Sequence, residues 1–324
     1  MEVLTFGETM VLFNPESNGP LRYVNGFSKS IGGADSNVAT ALARLGHDAG
    51  WFSKLGNDEF GREVQNTIRG EGVDVSRVRF TSEANTGILF KERFSSENPN
   101  VYYYRKGSAA SRLNVEDLDL EYIKQAKIIH VTGITPALSE SARNVVFRVL
   151  EVAKENGITI SFDPNIRLKL WTLEEAKPVL LDIAKMADII LPGVSEGEML
   201  LGTSDEKEIA DKFIAMGCKI VAVKLGADGC YVANKDGGTY VEGFAIENPV
   251  DTVGAGDGFA AGFLSGILKN LSIRECGLYG NGVGAMATLV KGDMEGFPYL
   301  DQLMAFMGKK KVVDRWSEAK NPET

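Results

Sequence analysis

Two short stretches carry side chains whose type and spacing could do chemistry. In DTVGAGDGFAAGF (251–263) a Gly-Ala-Gly turn, Gly254 to Gly256, leads into an Ala- and Gly-rich helical run. Such a turn offers successive free N–H groups and the positive end of a helix, an anion hole suited to phosphoryl oxygens. Asp257 falls in the first turn of that helix, where its carboxylate can take a proton from an attacking hydroxyl. A carboxylate there also stabilises the helix dipole, and the pattern alone leaves both roles open. The second stretch is GGADSNVATALARLG (32–46). Its diglycine lets backbone amides approach a ligand closely, because no Cβ intervenes. Asp35, Ser36 and Asn37 follow at the helix opening, where they can cap it or meet the hydroxyls of a polyol. Capping would use one of the three.

The elements that must hold these stretches follow from periodicity. KIIHVTG (127–133), ITISFDPN (158–165), ADIILPG (187–193) and KIVAVKLG (219–226) are short apolar runs separated by helical patterns near 139–156, 173–187 and 205–217. Apolar runs between helices are the mark of parallel strands covered on both faces. The expected fold class is α/β, a three-layer α/β/α sandwich with a mostly parallel sheet. RYVNGFSKSI (22–31) and TGILFKERF…NVYYYRKG (86–107) instead alternate apolar with polar residues, and SENPN (96–100) signals a turn. They predict a small antiparallel β lid, inserted near 14–31 and 86–110, over a cleft in a single domain spanning 1–312. Residues 313–324 form a charged tail expected to fray.

Composition closes several other routes. The 324 residues carry a formal charge of −9, which argues against a nucleic-acid surface. Three scattered cysteines without CxxC spacing offer no disulfide framework or thiolate zinc site, and suit a reducing cytoplasm. Two histidines, His47 and His130, give Ser-His-Asp or His-rich metal chemistry little to build with. The opening MEVLTFGETMVLF reads as a first strand and not a signal peptide. No apolar run reaches the roughly 18 residues of a membrane span. GNGVGA (280–285) fits a dinucleotide fingerprint formally, but it continues a helical pattern and follows no strand.

Together the two stretches resemble both signatures of the ribokinase-like (PfkB) carbohydrate kinases. The first matches from Gly32 through Asn37, Ala39 and Gly46 to Gly56, the second from Asp251 through Phe263, and the likeness covers about residues 2–308. The resemblance implies Asp257 as base, Gly254, Ala255 and Gly256 as the anion hole, and ATP with Mg2+ as donor. It places Asn165, Ser195, Lys224, Gly226, Gly229 and Asn281 on the nucleotide. Glu196 is placed on Mg2+ through water, although Gly193 stands where the family usually carries Asn. It also puts Asp251 at a site that in many relatives holds a monovalent cation such as K+.

GGADSN, the YYR of the lid, TGITPALS (132–139) and SEGE look like the 2-keto-3-deoxygluconate kinases within that family. That subgroup would line its sugar acid with Gly33, Ala34, Asn37, Leu89, Tyr103, Arg105, Ile134 and Arg167, with Asp293 reaching a hydroxyl. Two arginines aimed at one cleft suit a carboxylate. Fructokinase is the alternative. A homo-oligomer formed through the lid is also expected, since exposed sheets seek partners.

Overall fold

The computed structural model describes residues 1–94 and 100–309. The turn expected at 96–100 lies almost wholly outside the described residues, as does the 313–324 tail.

The chain opens with β1 (Val3–Phe6), then leaves the core through β2 (Met10–Pro15) and β3 (Phe27–Gly32). It returns by α1 (Ala34–Arg44) to β4 (Ala49–Phe52), and continues through β5 (Lys54–Gly56), α2 (Glu59–Gly70) and β6 (Arg79–Thr81). A second excursion makes β7 (Ile88–Glu92) and β8 (Asn100–Tyr104). Alternation then sets in: α3 (Leu120–Ile123), β9 (Ile128–Thr132), α4 (Glu140–Glu155), β10 (Thr159–Asp163), α5 (Leu173–Met186) and β11 (Ile189–Ile190). α6 (Val194–Leu201), α7 (Glu206–Ala215), β12 (Ile220–Lys224), β13 (Gly229–Asn234) and β14 (Gly237–Glu242) follow, then α8 (Ala255–Leu268), α9 (Ile273–Ala287) and α10 (Leu300–Phe306).

The core sheet has the order β14-β13-β12-β11-β10-β9-β1-β4, parallel from β12 to β4, with the β12–β13 and β13–β14 pairs antiparallel. Strand alternation sends Val3, Ile128 and Ile189 into one apolar layer and Leu4, Ile129 and Ile190 into the opposite one. Both faces are therefore covered, as the unbroken apolar runs predicted. From β1 the chain winds one way to β4 and the other way to β9 and β10. That reversal opens a crevice at the carboxyl ends of the strands.

α8 and α9 pack closely over one layer, because a Cβ on Gly262 would fall 2.4 Å from the Tyr279 carbonyl. The GNGVGA segment lies inside α9, so its glycines serve packing and no dinucleotide loop forms.

The lid is a four-stranded sheet ordered β3-β2-β7-β8. It begins at Met10, earlier than expected, and its central pair β2–β7 runs parallel while the outer pairs are antiparallel. Leu89 pairs with Tyr103 and Lys91 with Val101 across β7 and β8, so these four share the cleft-facing surface. On the opposite face Phe13 stacks on Phe90, with Phe60 of α2 edge-on to Phe13.

Candidate active site

A cavity of about 1220 Å3 lies between the lid and the carboxyl ends of the core strands. Its lining brings both sequence stretches together across 220 residues: Asn37 Nδ2 donates to Asp257 Oδ2 at 2.7 Å. Gly254 caps α8 at a φ of 82°, with no side chain capping the helix. A Cβ there would be strained, and would sit 2.0 Å from the Asp293 carbonyl oxygen. The turn can therefore be made only by glycine; the Ala255 N–H donates to the Thr252 carbonyl at 3.3 Å, and the Gly256 and Asp257 N–H groups have no acceptor among the described residues. Gly254, Gly256 and Asp257 all face the cavity.

Burial pushes the Asp257 carboxyl up to about 7; the nearby Asp163 and Asp293 carboxylates add to this, while Asn37 and Arg167 oppose it. A carboxylate poised there is matched to proton transfer near neutrality. Asn37 Oδ1 is buried and lacks a hydrogen-bond partner among the described residues. It is an acceptor that a ligand hydroxyl would satisfy.

Of the three polar residues at the start of α1, Asn37 alone lines the cavity. None caps the helix, since Gly33 is the N-cap and makes no side-chain bond. Asp35 turns inward and accepts from the Thr132 amide and the Thr132 and Thr135 hydroxyls, tying α1 to the end of β9. Ser36 donates to the Gly33 carbonyl.

On the core side Lys224 Nζ, at the end of β12, pairs with Asp163 Oδ2 at 2.7 Å. It comes within 3.8 Å of where a Gly256 Cβ would stand, which sets it beside the anion hole. Asn165 takes a left-handed φ of 36° and donates its amide to Asp163 Oδ1. Glu196 accepts from the Gly193 and Ile166 amides, and burial raises its pKa. Gly193 thus contributes only its backbone where the family would place Asn.

Asp163 and Glu196 give an all-oxygen donor set at the cavity wall. Their oxygens already accept from Lys224 and from the Asn165, Ile166 and Gly193 amides, so the set fits Mg2+ through its bound water, with phosphate oxygens as direct ligands. Among the described residues no cluster of three His, Cys, Asp or Glu makes a dedicated metal cage.

Four residues expected at the nucleotide lie off this cavity. Ser195 is exposed in the first turn of α6, Gly226 is exposed in the turn after β12, and Gly229 is buried at the start of β13. The Asn281 amide is spent on the Val241 and Glu242 carbonyls, which fastens α9 to β14.

The residues placed on the sugar acid, Gly33, Ala34, Leu89, Tyr103, Arg105, Ile134, Arg167 and Asp293, all line the cavity. Two arginines do reach one cleft, but they are not equivalent. Arg105 is already held by Glu8, with Nε at 2.6 Å and Nη2 at 2.5 Å from Oε2. Arg167 is exposed and forms no ion pair among the described residues. Asp293, expected to reach a hydroxyl, receives Lys91 Nζ on Oδ1 at 2.9 Å. Asp251 binds Arg93 Nη2 at 2.9 Å through Oδ2 and the Val253 amide at 3.2 Å through Oδ1. With both oxygens engaged and a guanidinium alongside, Asp251 does not fit a monovalent cation site.

Sequence reasoning missed Glu8, Lys91 and Arg93. The signal for the last two was the strict alternation Leu89, Lys91, Arg93, which puts all three on one face of a strand.

Comparison with known proteins agrees with this architecture. The family model described as pfkB family carbohydrate kinase matches residues 1–299. A 2-dehydro-3-deoxygluconokinase of Bacillus subtilis is 43% identical over 316 residues, covering 97% of each chain. A candidate ribokinase II of E. coli, solved with ATP and Mg2+, superposes with a TM-score of 0.88 at 26% identity, covering 95% of this chain and 99% of that one. A fructokinase double mutant of Vibrio cholerae, solved with fructose, ADP and potassium ion, gives 0.83 at 29% identity, covering 95% and 98%. The chain belongs to the pfkB family of carbohydrate kinases.

Proposed function

We propose that this kinase transfers the γ-phosphoryl group of ATP to a hydroxyl of a sugar acid, 2-keto-3-deoxygluconate, giving 2-keto-3-deoxy-6-phosphogluconate. The observation that carries the reading is the contact between Asn37 and Asp257 at the mouth of the Gly254–Gly256 turn.

Asp257 takes the proton of the attacking hydroxyl, and that oxygen forms the new bond to phosphorus. The bond from phosphorus to the β–γ bridging oxygen breaks, and ADP leaves. N–H groups of the 254–256 turn and the start of α8 stabilise the negative charge on the transferring oxygens. Lys224 sits where it can neutralise phosphate, and Asn165 lines the same wall. Glu196 and Asp163 would hold Mg2+, which supplies charge neutralisation on the phosphates when bound. Ser195 in α6, Gly226 and Gly229 in the turn into β13, and Asn281 in α9 would flank the rest of the nucleotide.

The acid half of the substrate is argued from charge. Lys91, Arg105, Lys106, Arg167, Lys169 and Lys224 line the cavity against Glu8, Asp163, Glu196, Asp257 and Asp293. A cleft with six cations to five acids, in a chain of net charge −9, concentrates positive potential where a carboxylate and a triphosphate must sit together. The name of the Bacillus subtilis relative points the same way. Fructokinase remains the second reading, because Glu8 already neutralises Arg105 and a solved relative holds fructose.

A coupled assay of ADP release over a panel of sugars and aldonic acids decides between them. The expected result is highest kcat/KM on 2-keto-3-deoxygluconate; a preference for fructose gives the second reading.

Two further properties fit the same picture. Exposed Tyr23 and Tyr104 on the lid suit self-association, which sedimentation would register as a dimer or larger species. Three free, buried cysteines suit a reducing cytoplasm, and among the described residues no helix is long and apolar enough to cross a membrane.

A further inference from the structure

Neither Lys91 nor Arg93 touches the reacting groups above, yet both are buried and both pair with acids that flank the anion-hole turn. Arg93 Nη2 lies 2.9 Å from Asp251 Oδ2, and Lys91 Nζ lies 2.9 Å from Asp293 Oδ1 and 3.9 Å from Asp251 Oδ2. The four side chains are 3–13% exposed, so the charges are shielded from solvent and act strongly on one another. Asp251 precedes the turn by three residues, and the Asp293 carbonyl presses against Gly254 from the other side. The two cations therefore brace both flanks of the loop that must present N–H groups to phosphate. They come from the cleft face of lid strand β7 and the residue just beyond it, the face whose Leu89 lines the cavity.

We propose that Lys91 and Arg93 are a built-in cation for the anion-hole loop, so that this kinase needs no potassium ion and the lid itself organises the loop. The solved fructokinase relative holds a potassium ion; here the Asp251 carboxylate is already committed to a guanidinium and a backbone amide. A soluble ion can come and go independently of the lid, whereas a charge carried on β7 ties the order of the loop to the seating of the lid. The proposal rests on reading 254–256 as the anion hole, and one arm of the test is chosen to be independent of the substrate.

Full-length protein is assayed with tetramethylammonium as the only monovalent cation, then with potassium replacing it at a constant ionic strength of about 0.15 M. Wild-type kcat is expected to change less than about twofold, well below the tenfold-or-more effect of one charge-assisted bond. A saturable potassium activation of about tenfold or more overturns the proposal. Arg93→Met should lose about 10–100-fold in kcat without potassium and regain part of it with potassium but not lithium. An equal loss in every cation makes Arg93 merely structural and overturns it.

Thermal unfolding without substrate is the independent arm. Potassium should raise the melting temperature of Arg93→Met and leave wild type unmoved, and a potassium-stabilised wild type counts against the proposal whatever sugar the enzyme prefers. If Arg93→Met does not fold, Lys91→Met takes its place in both arms with the same expected signs.

Discussion

The core end of the cleft and the lid end are built on different physics. Core strands sink their side chains fully: Phe162 and Ile190 are 0% exposed, and truncating such a phenylalanine typically costs about 3–5 kcal/mol. Among the described residues the lid's cleft face has only Met10, Leu12 and Leu89 as a buried cluster. It is fastened by charge instead, with Lys91, Arg93 and Arg105 of the lid meeting Asp293, Asp251 and Glu8 of the core. The reacting groups show the converse. Asp257 has the neutral Asn37 as its hydrogen-bond partner, and Arg167 has no ion pair among the described residues. The charges that fasten the lid are paired, whereas the base and Arg167 are left without a counter-ion; Lys224, beside the anion hole, is the exception, held by Asp163.

The largest effect should come from the unpaired core side. Asp257→Asn keeps size and loses proton acceptance, so kcat is expected to fall by about 10²–10⁴-fold with ATP affinity little changed. Turnover near wild type would remove Asp257 from the base role and erase the distinction between the two ends. Asp257 also sets the pH profile. Burial raises its pKa to about 7 and the base must be ionised, so kcat/KM should rise as pH increases through about 7 and level off above it. A flat profile from pH 5 to about 8 would show that no such base is titrating.

How much of this was legible in the sequence follows the same divide. The core strands, α8 and the Gly254–Asp257 turn are written locally, in apolar runs and glycine spacing, and they stand where expected. The lid pairs are not local: Glu8 meets Arg105 from 97 residues away, and Lys91 meets Asp293 across 202. An isolated Glu in FGETM carries no sign of a partner that distant. The side-chain directions of Asp35 and Ser36 were equally hidden, because a capping pattern and a buried helix start share the same letters. Asp35 proved to serve β9, as only the packed fold could show.

On the paired lid side a single substitution should do less to chemistry and more to structure. Arg105→Ala strands Glu8, whose side chain is 0% exposed, and breaking a buried pair this way typically costs about 3–5 kcal/mol of stability. Activity on sugar acid and fructose should then fall together. Glu8→Gln/Arg105→Ala removes both charges and should recover most of the stability. If Arg105 also meets the substrate carboxylate, the double variant keeps a loss of about 10–100-fold on the sugar acid alone. Equal activity of the double variant and wild type on the sugar acid would confine Arg105 to holding the lid.

The smallest effect belongs to Arg167, and it tests the unpaired side most finely. Its guanidinium is exposed, so a contact to a substrate carboxylate is screened and worth about 0.2–1 kcal/mol, a KM change of a few-fold. Its second action is on the base. The positive charge of Arg167 holds the Asp257 pKa below where burial alone would put it. Arg167→Ala should therefore raise that pKa. Because ionised Asp257 is the active form, the acid limb of the kcat/KM profile should move to higher pH. At pH above the limb the variant should regain wild-type kcat, which separates a shifted base from a damaged one. High salt should move the wild-type limb in the same direction and leave the variant still, since screening removes the same field that the substitution removes. An unmoved limb in Arg167→Ala would mean its charge does not reach Asp257, and the few-fold KM change would then be all that Arg167 contributes.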